Sequence, residues 1–440
     1  MIHKILFIGF IIFHPIYAQN EAKLNDTLKL TLTEIWKKTE SNSRLISIKN
    51  KEVEISEEEV KDIKMERLPE LGVSGNYERA TNIPIYDKGL FSSPSYHEVI
   101  KNLYKVSGDM YLNIYNGNKL NLEIRKEKVL HEIKTIERNE VVSNIKYNAA
   151  SLYLEIQQLI IFKNLVIDDI LDQEKQLKEV KALHKHGTKL KSDVLRIELD
   201  LSKRQLLLVK INNDLLITNQ KLNIIIGEPD DRVVIPDNYK DTVINEADNY
   251  ESLLKVALAN SYAYNISEHK TIVSKLNLKQ VKANIRPKLG LTGDFYYMNP
   301  QIFLFPYAPY WYSLGLAGLR ASFPISSLYH NIHKTKAARI EVEKEEIAHN
   351  ETEDKVRQQV KEAFLRYQEA FIQINVATVN VKQATENARI IKENYFNQTA
   401  LVTDLLDADI QTLQTKFELA SAKIQAQNKY YLLLNIVGKL

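Results

Sequence analysis

One segment of this chain is written twice. Arg67-Leu68-Pro69-Glu70-Leu71-Gly72-Val73-Ser74-Gly75-Asn76-Tyr77 returns as Ile285-Arg286-Pro287-Lys288-Leu289-Gly290-Leu291-Thr292-Gly293-Asp294-Phe295, an offset of 218 residues. Downstream, Thr188, Ser192-Asp193-Val194-Leu195 and Ile226-Gly227 return as Thr399, Thr403-Asp404-Leu405-Leu406 and Val437-Gly438, now offset by 211. The difference falls in the loop after the first strand, which is longer in the first copy. A chain of 440 residues would otherwise divide into two or three unlike domains. A duplication demands two copies of one supersecondary unit instead.

Glycine and proline mark the parts of that unit. They cluster over 69–117 and 286–324; from 118 to 226 only Gly187 interrupts, and from 325 to 437 nothing does. The punctuated zones read as strands, because Leu71, Val73 and Tyr77 alternate with small or polar residues at period 2. The same alternation sets Val106, Gly108, Met110, Leu112 and Ile114 against Ser107, Asp109, Tyr111 and Asn113, and places Leu289, Leu291, Phe295 and Tyr297 on one face in copy two. In the last strand the apolar set shifts from Leu314 and Leu316 to Leu319, Ala321 and Phe323, which predicts a glycine bulge at Ala317-Gly318. Strands of about ten residues suit a tilted bilayer crossing. The loops between them carry Pro300, Pro306, Pro309, Phe303, Phe305, Tyr307 and Trp311, fitting either a barrel rim at the headgroup layer or an apolar loop of a soluble domain.

The zones without glycine or proline read as helices far longer than the usual 8–20 residues. Val194, Leu201, Leu208, Leu215 and Leu222 form a heptad seam with Ile197, Ile211 and Ile225 on the companion position,. A second seam runs beside it through Leu195, Leu199, Leu206, Val209 and Leu216. Two seams require two neighbours, as for a stave in a closed ring of helices. The preceding helix, over about 119–186, would be on the order of 100 Å long at ~1.5 Å per residue. Its charged stretch Glu123, Arg125, Lys126, Glu127 and Lys128 marks a solvated face,.

The predicted organisation is a signal peptide over 1–18, a first repeat over 19–227, an equatorial linker over 228–250 and a second repeat over 251–440. Strands are expected at about 68–80, 105–116, 286–297 and 311–323, and long helices at about 119–186, 189–226, 327–396 and 403–437. Lys4, the apolar stretch Ile5 to Ile12 and Ile16-Tyr17-Ala18 read as an export signal with its cleavage site,. No later run offers ~18 consecutive apolar residues, so a membrane would be met with strands rather than a helix. Cysteine is absent, which removes disulfides, thiolate metal sites and cysteine nucleophiles. With 59 basic and 56 acidic residues, the charge balance gives no sign of a nucleic-acid partner. Neither HExxH, GxSxG nor a Walker sequence occurs, so no enzyme and no cofactor is expected. His330 and His333 lie three apart on a helix but make a poor metal site without a carboxylate. His184 and His186 point to nearly opposite faces.

Four lipid-crossing strands cannot close a barrel, since the smallest membrane barrels use about eight. An open sheet would leave unpaired backbone groups in hydrocarbon. Several copies must therefore pool their strands into an oligomeric pipe, a barrel continued by a helical tube. The alternative is a secreted or surface coiled-coil scaffold or adhesin whose strands form a small soluble sheet.

Over essentially all of the mature chain, this pattern resembles the TolC-like outer-membrane factor family. The resemblance rests on Leu68-Pro69 and Arg286-Pro287 before a strand, on Gly187 with Asp193-Val194-Leu195 and on Asp404-Leu405-Leu406-Asp407-Ala408 at the helix starts. Gly227 and Gly438 close the two copies. The resemblance implies a mainly α fold with a membrane β part: a homotrimer with a 12-stranded barrel in outer-membrane lipid and a coiled-coil tunnel extending into the periplasm. It further implies a passive efflux or type I secretion conduit, coupled through a periplasmic adaptor (membrane fusion) protein to an inner-membrane RND or ABC transporter.

Asp404 and Asp407 lie three apart and share a helix face, so a three-fold axis would gather six carboxylates at a constriction that favours cations. The resemblance implies that these aspartates line a periplasmic gate and that Tyr395 belongs to its closing network. The family's archetype has an arginine in that turn where this chain has Ala400. At the first tip, Gly187, Ser192 and Asp193 are the weaker candidates. A carboxylate in a first helical turn can equally serve as a cap, a role that suits Asp193. Arg196 follows Asp193 where Asp407 follows Asp404, and this asymmetry points to the second tip.

Overall fold

The structure is a computed structural model that describes residues 27–237, 249–302 and 305–440. The export signal expected over 1–18, residues 238–248 of the linker, and Phe303 lie outside the described residues. In chain order the first repeat runs β1 (Leu28–Leu30), α1 (Leu32–Asn42), α2 (Arg44–Met65), β2 (Glu70–Arg79), β3 (Ile83–Ile85), β4 (Ser95–His97), β5 (Asn102–Tyr115), α3 (Lys119–Lys185) and α4 (Lys191–Ile226). After β6 (Val234–Pro236) come α5 (Tyr250–Asn260), α6 (Tyr262–Ala283), β7 (Lys288–Asn299), β8 (Tyr312–Ser322), α7 (Ser327–Phe396) and α8 (Val402–Ile436). Helices α3 and α7 run 67 and 70 residues.

The chain packs as two compact units, each drawn from both repeats: 42–148, 243–376 and 425–440 in one, and 1–41, 149–242 and 377–424 in the other. The first holds an antiparallel sheet in the order β2-β5-β7-β8. Its register places Leu71, Met110, Gly293 and Ala317 on one rung, and Tyr77, Tyr104 and Asn299 on another. Odd-numbered positions of β2, β7 and β8 thus share a face with even-numbered positions of β5. That face carries Leu71, Val73, Val106, Met110, Leu291, Phe295 and Leu319, and it is open: Leu71 is 75% and Val73 86% exposed. The opposite face carries Ser74, Asn76, Lys105, Ser107, Asp109, Thr292 and Asp294, with the Ser74 and Ser107 hydroxyls 2.9 Å apart.

The bulge predicted at Ala317-Gly318 is absent. The β7–β8 ladder runs without a register shift from Lys288–Ser322 to Met298–Tyr312, and the one irregularity in the sheet lies at Asn113/Tyr115 of β5. Leu314 and Leu316 therefore remain on the polar face, where Leu316 stands opposite Asp294. Gly315 faces Phe295 across the ladder, and a Cβ there would meet nothing within 4 Å, so the glycine neither bends the strand nor makes room for the ring.

In the same unit, α5, α7 and α8 enclose Leu253, Ala257, Val356, Val360, Tyr367, Leu433 and Val437. Helices α2 and α6 each set a serine against a histidine of a long helix: Ser56 against His131 (2.8 Å) and Ser267 against His349 (2.7 Å).

In the second unit, β1 and β6 pair in parallel, crossing over a core of Ile35, Ala149, Tyr153, Ile156, Leu222 and Ile226. Burying such aliphatic side chains stabilises by ~1.5–3 kcal/mol each. Asn219 accepts from the Val234 N–H (2.8 Å) and Asn223 donates to the Arg232 carbonyl (2.7 Å), which pins the short strand to α4. An 18-residue window of α3 is apolar enough to cross a membrane. Residues of α3 from Ala149 to Ile170 instead supply these helical cores, with Leu159, Val166 and Ile170 packed around Ile211.

Candidate functional site

Both hairpin tips lie in the second unit, and their turns are the same motif 211 residues apart. Gly187 and Gln398 occupy the left-handed region at φ 77° and 66°, which lets the turn reverse just past each helix. The Thr188 N–H donates to the Leu183 carbonyl (3.0 Å) and the Thr399 N–H to the Asn394 carbonyl (2.9 Å). Each threonine hydroxyl bonds to the same carbonyl as its own N–H. Gly187 meets nothing that a Cβ would strike, so its left-handed φ alone explains the glycine.

The tips share a core of Val180, Val194, Ile197, Tyr395, Val402 and Leu405. Tyr395, 1% exposed, holds the contact between the repeats. Its hydroxyl donates to Asp193 Oδ2 at 3.5 Å. Lys189 Nζ lies 3.7 Å from the centre of its ring and donates to its backbone carbonyl at 2.7 Å. That carbonyl lies in the last turn of α7 and also accepts from the Gln398 N–H (3.1 Å); a cation there complements the helix dipole. Burial, and then the neighbouring Asp193 charge, push the Tyr395 hydroxyl up to about 12, so at neutral pH it is a donor.

The predicted site residues divide differently from the expectation. Tyr395 joins Asp193 of the first tip, whereas Asp404 turns to its own helix and accepts from the Leu401 N–H at 3.0 Å. That bond is half of a capping box. Asp404 and Asp407 stand exposed on one face of α8. Ser192 is exposed, its hydroxyl 3.5 Å from Asp193 Oδ1. Lys189 escaped sequence reasoning, although the signal was present: it is the first-copy counterpart of Ala400, so the cation stands in the other copy's turn.

Two further features surround this geometry. The inner seam of α4 is covered, with Val194, Ile197, Ile211 and Leu222 buried. The outer seam of Leu195, Leu199, Leu206, Val209 and Leu216 is 53–58% exposed. On the apolar face of the sheet, Tyr77, Tyr104, Trp311 and Tyr297 form a continuous row, with successive ring centres 5.1, 5.8 and 4.9 Å apart. Such a row at strand ends is the pattern of a headgroup-level girdle.

Residues 253–439 match the family model described as outer membrane efflux protein. The match covers the second repeat. The fold is shared over nearly the whole chain with solved channels at low sequence identity. CusC matches with a TM-score of 0.80 at 13% identity, covering 93% of this chain and 92% of that one. VceC of Vibrio cholerae matches at 0.74 and 14% (92% and 96% covered), and CmeC of Campylobacter jejuni at 0.75 and 14% (93% and 85%). None of the curated proteins matches the chain. The chain shares with these channels the TolC-like combination of four antiparallel strands and long helices.

Proposed function

We propose that three copies of this chain pool their strands into one 12-stranded barrel and their long helices into a tunnel. The product is a passive conduit for efflux or type I secretion, coupled through a periplasmic adaptor to an inner-membrane RND or ABC pump. The observation that carries this reading is the four-stranded sheet. Its outward face is apolar, and β2 and β8 each have one edge unpaired among the described residues. Lipid tolerates such edges only if another copy pairs them. The exposed second seam of α4 asks for the same partner, because a helix with two apolar seams packs on two sides. A soluble scaffold needs neither feature.

The gate lies at the hairpin tips. Lys189, Tyr395 and Asp193 clasp the second hairpin to the first, and opening separates them. Lys189 supplies the cation that Ala400 lacks. Asp404 and Asp407 project from the adjoining exposed face and set the preference for cations at the aperture. The test is the exported protein's migration: detergent-dependent, heat-modifiable trimers support the conduit, and a monomer that stays soluble without detergent after export refutes it.

A further inference from the structure

Three carboxylates cluster near one guanidinium inside the unit that carries the tips. Arg204 of α4 is 4% exposed and pairs with both Asp169 of α3 and Asp200 one turn earlier on its own helix. Its single positive charge is thereby divided between two acids. The third, Asp409 of α8, has a neutral partner: Gln173 Nε2 of α3 donates to its Oδ2 at 2.8 Å. Gln173 is 2% exposed, and its other amide atom, Oε1, is buried without a hydrogen-bond partner. The remaining charges acting on the cluster are Lys392 of α7, Lys416 of α8 and Asp172 of α3.

If all three clustered acids ionised, the guanidinium would leave two negative charges without a direct counterion. A buried carboxylate in that position neutralises rather than staying charged. Asp409 is the one for which a proton also repairs a hydrogen bond. A protonated carboxyl is both donor and acceptor, and facing a primary amide it can make two parallel bonds. Burial pushes the Asp409 carboxyl up from the ordinary carboxylate range; Gln173 and Arg204 pull it down, and Asp169 pushes it up again.

We propose that Asp409 and Gln173 form a proton-dependent tie between the two helical hairpins. With the proton bound, Asp409 accepts from Gln173 Nε2 and donates to Gln173 Oε1. Without it, the donated bond is lost and a charge is left in the interior. The tie does not depend on the conduit or on the trimer. Because the folded state holds this proton more tightly than the unfolded chain, its contribution is full at low pH and is lost as pH rises through the folded-state value. Acid tightens the α3–α8 contact and alkali loosens it.

Asp409→Asn is an amide that makes both bonds at every pH, whereas Gln173→Met makes neither. Thermal midpoints of the full chain in detergent, taken from pH 5 to pH 8, separate the cases. Other acids contribute to the wild-type profile, so the readout is the difference between wild type and each variant. The midpoint of D409N should exceed that of wild type by a few degrees at pH 8 and converge with it at pH 5. Q173M should lie below wild type at pH 5 and at pH 8, because Gln173 Nε2 donates to the carboxyl in either form and the bond to Oε1 is added only at low pH. An infrared titration supplies a second readout that survives poor expression of either variant, since wild type should show a protonated-carboxyl band that persists above the ordinary carboxylate range. The proposal is overturned if that band is absent from wild type, or if D409N runs parallel to wild type across the pH range.

Discussion

Replacing Lys189 with methionine keeps an unbranched apolar stem and removes the cation that holds Tyr395. Two interactions disappear. The ammonium at 3.7 Å from the ring centre is worth ~1 kcal/mol at a half-buried site, and its 2.7 Å bond to a carbonyl of the last α7 turn contributes about as much through charge and dipole. If opening the aperture breaks both, K189M favours the open state by about 2 kcal/mol, on the order of 30-fold. Tyr395→Phe removes only the hydroxyl, whose 3.5 Å bond to Asp193 is at the limit of hydrogen-bond geometry. That bond is worth ~0.5 kcal/mol, roughly a two-fold effect. Open probability in planar bilayers should therefore rank K189M well above Y395F, with Y395F just above wild type. An Y395F effect equal to or larger than that of K189M would refute the assignment of Lys189 as the main clasp.

Asp404→Ala should lower the thermal midpoint by the equivalent of ~1 kcal/mol, because it removes the first-turn acceptor for the Leu401 N–H; Asp407→Ala should stay within ~0.5 kcal/mol of wild type. The double variant should shift the reversal potential under a salt gradient away from cation preference. Gly438→Ala should cost ~1–3 kcal/mol in urea unfolding, since the residue sits at φ 72° and a Cβ there would lie 2.5 Å from the Asn260 carbonyl oxygen. Gly187→Ala, equally left-handed but open, should cost no more than ~1–2 kcal/mol. Tyr395 and Tyr367 are both pushed up to about 12, chiefly by burial, so their protonated forms are favoured by folding. That stability is complete below pH ~10 and is lost as pH rises toward 12. Ultraviolet titration of tyrosinate should show both ionising last, and Y395F should remove one late chromophore.

The parts of this fold that repeat at short range were legible before the structure. Period-2 alternation in Leu71 to Tyr77 and heptads from Val194 to Leu222 each record a local geometry, and duplication confirmed them in a second copy. Helices α2 and α6 went unassigned because their core positions are partly polar: Ser56, Thr271, Ser274 and Gln280 are buried, which blurs an apolar stripe. The shift of leucines in β8 looked like a slip of register. It was a change in which face carries leucine, and only the ladder to β7 distinguishes the two. At the tips the candidate residues were legible and their pairing was not. Asp193 rather than Asp404 meets Tyr395, and Lys189 arrives from 206 positions away, a separation over which no local pattern speaks. Asp409 and Gln173 were hidden for the same reason.

A shared barrel requires the outer edges of β2 and β8, unpaired among the described residues, to meet in different copies. The chain has no cysteine, so engineered pairs are unambiguous. Val73→Cys on β2 can be combined in turn with Gly315→Cys, Ala317→Cys or Leu319→Cys on β8, while Gly108→Cys with Phe295→Cys, directly opposed on β5 and β7, controls for access to oxidant. Oxidation in outer membranes should give the control an intrachain bridge and should give at least one β2–β8 pair a covalent ladder ending at the trimer. An oxidised control beside β2–β8 pairs that all remain monomeric would contradict the shared barrel.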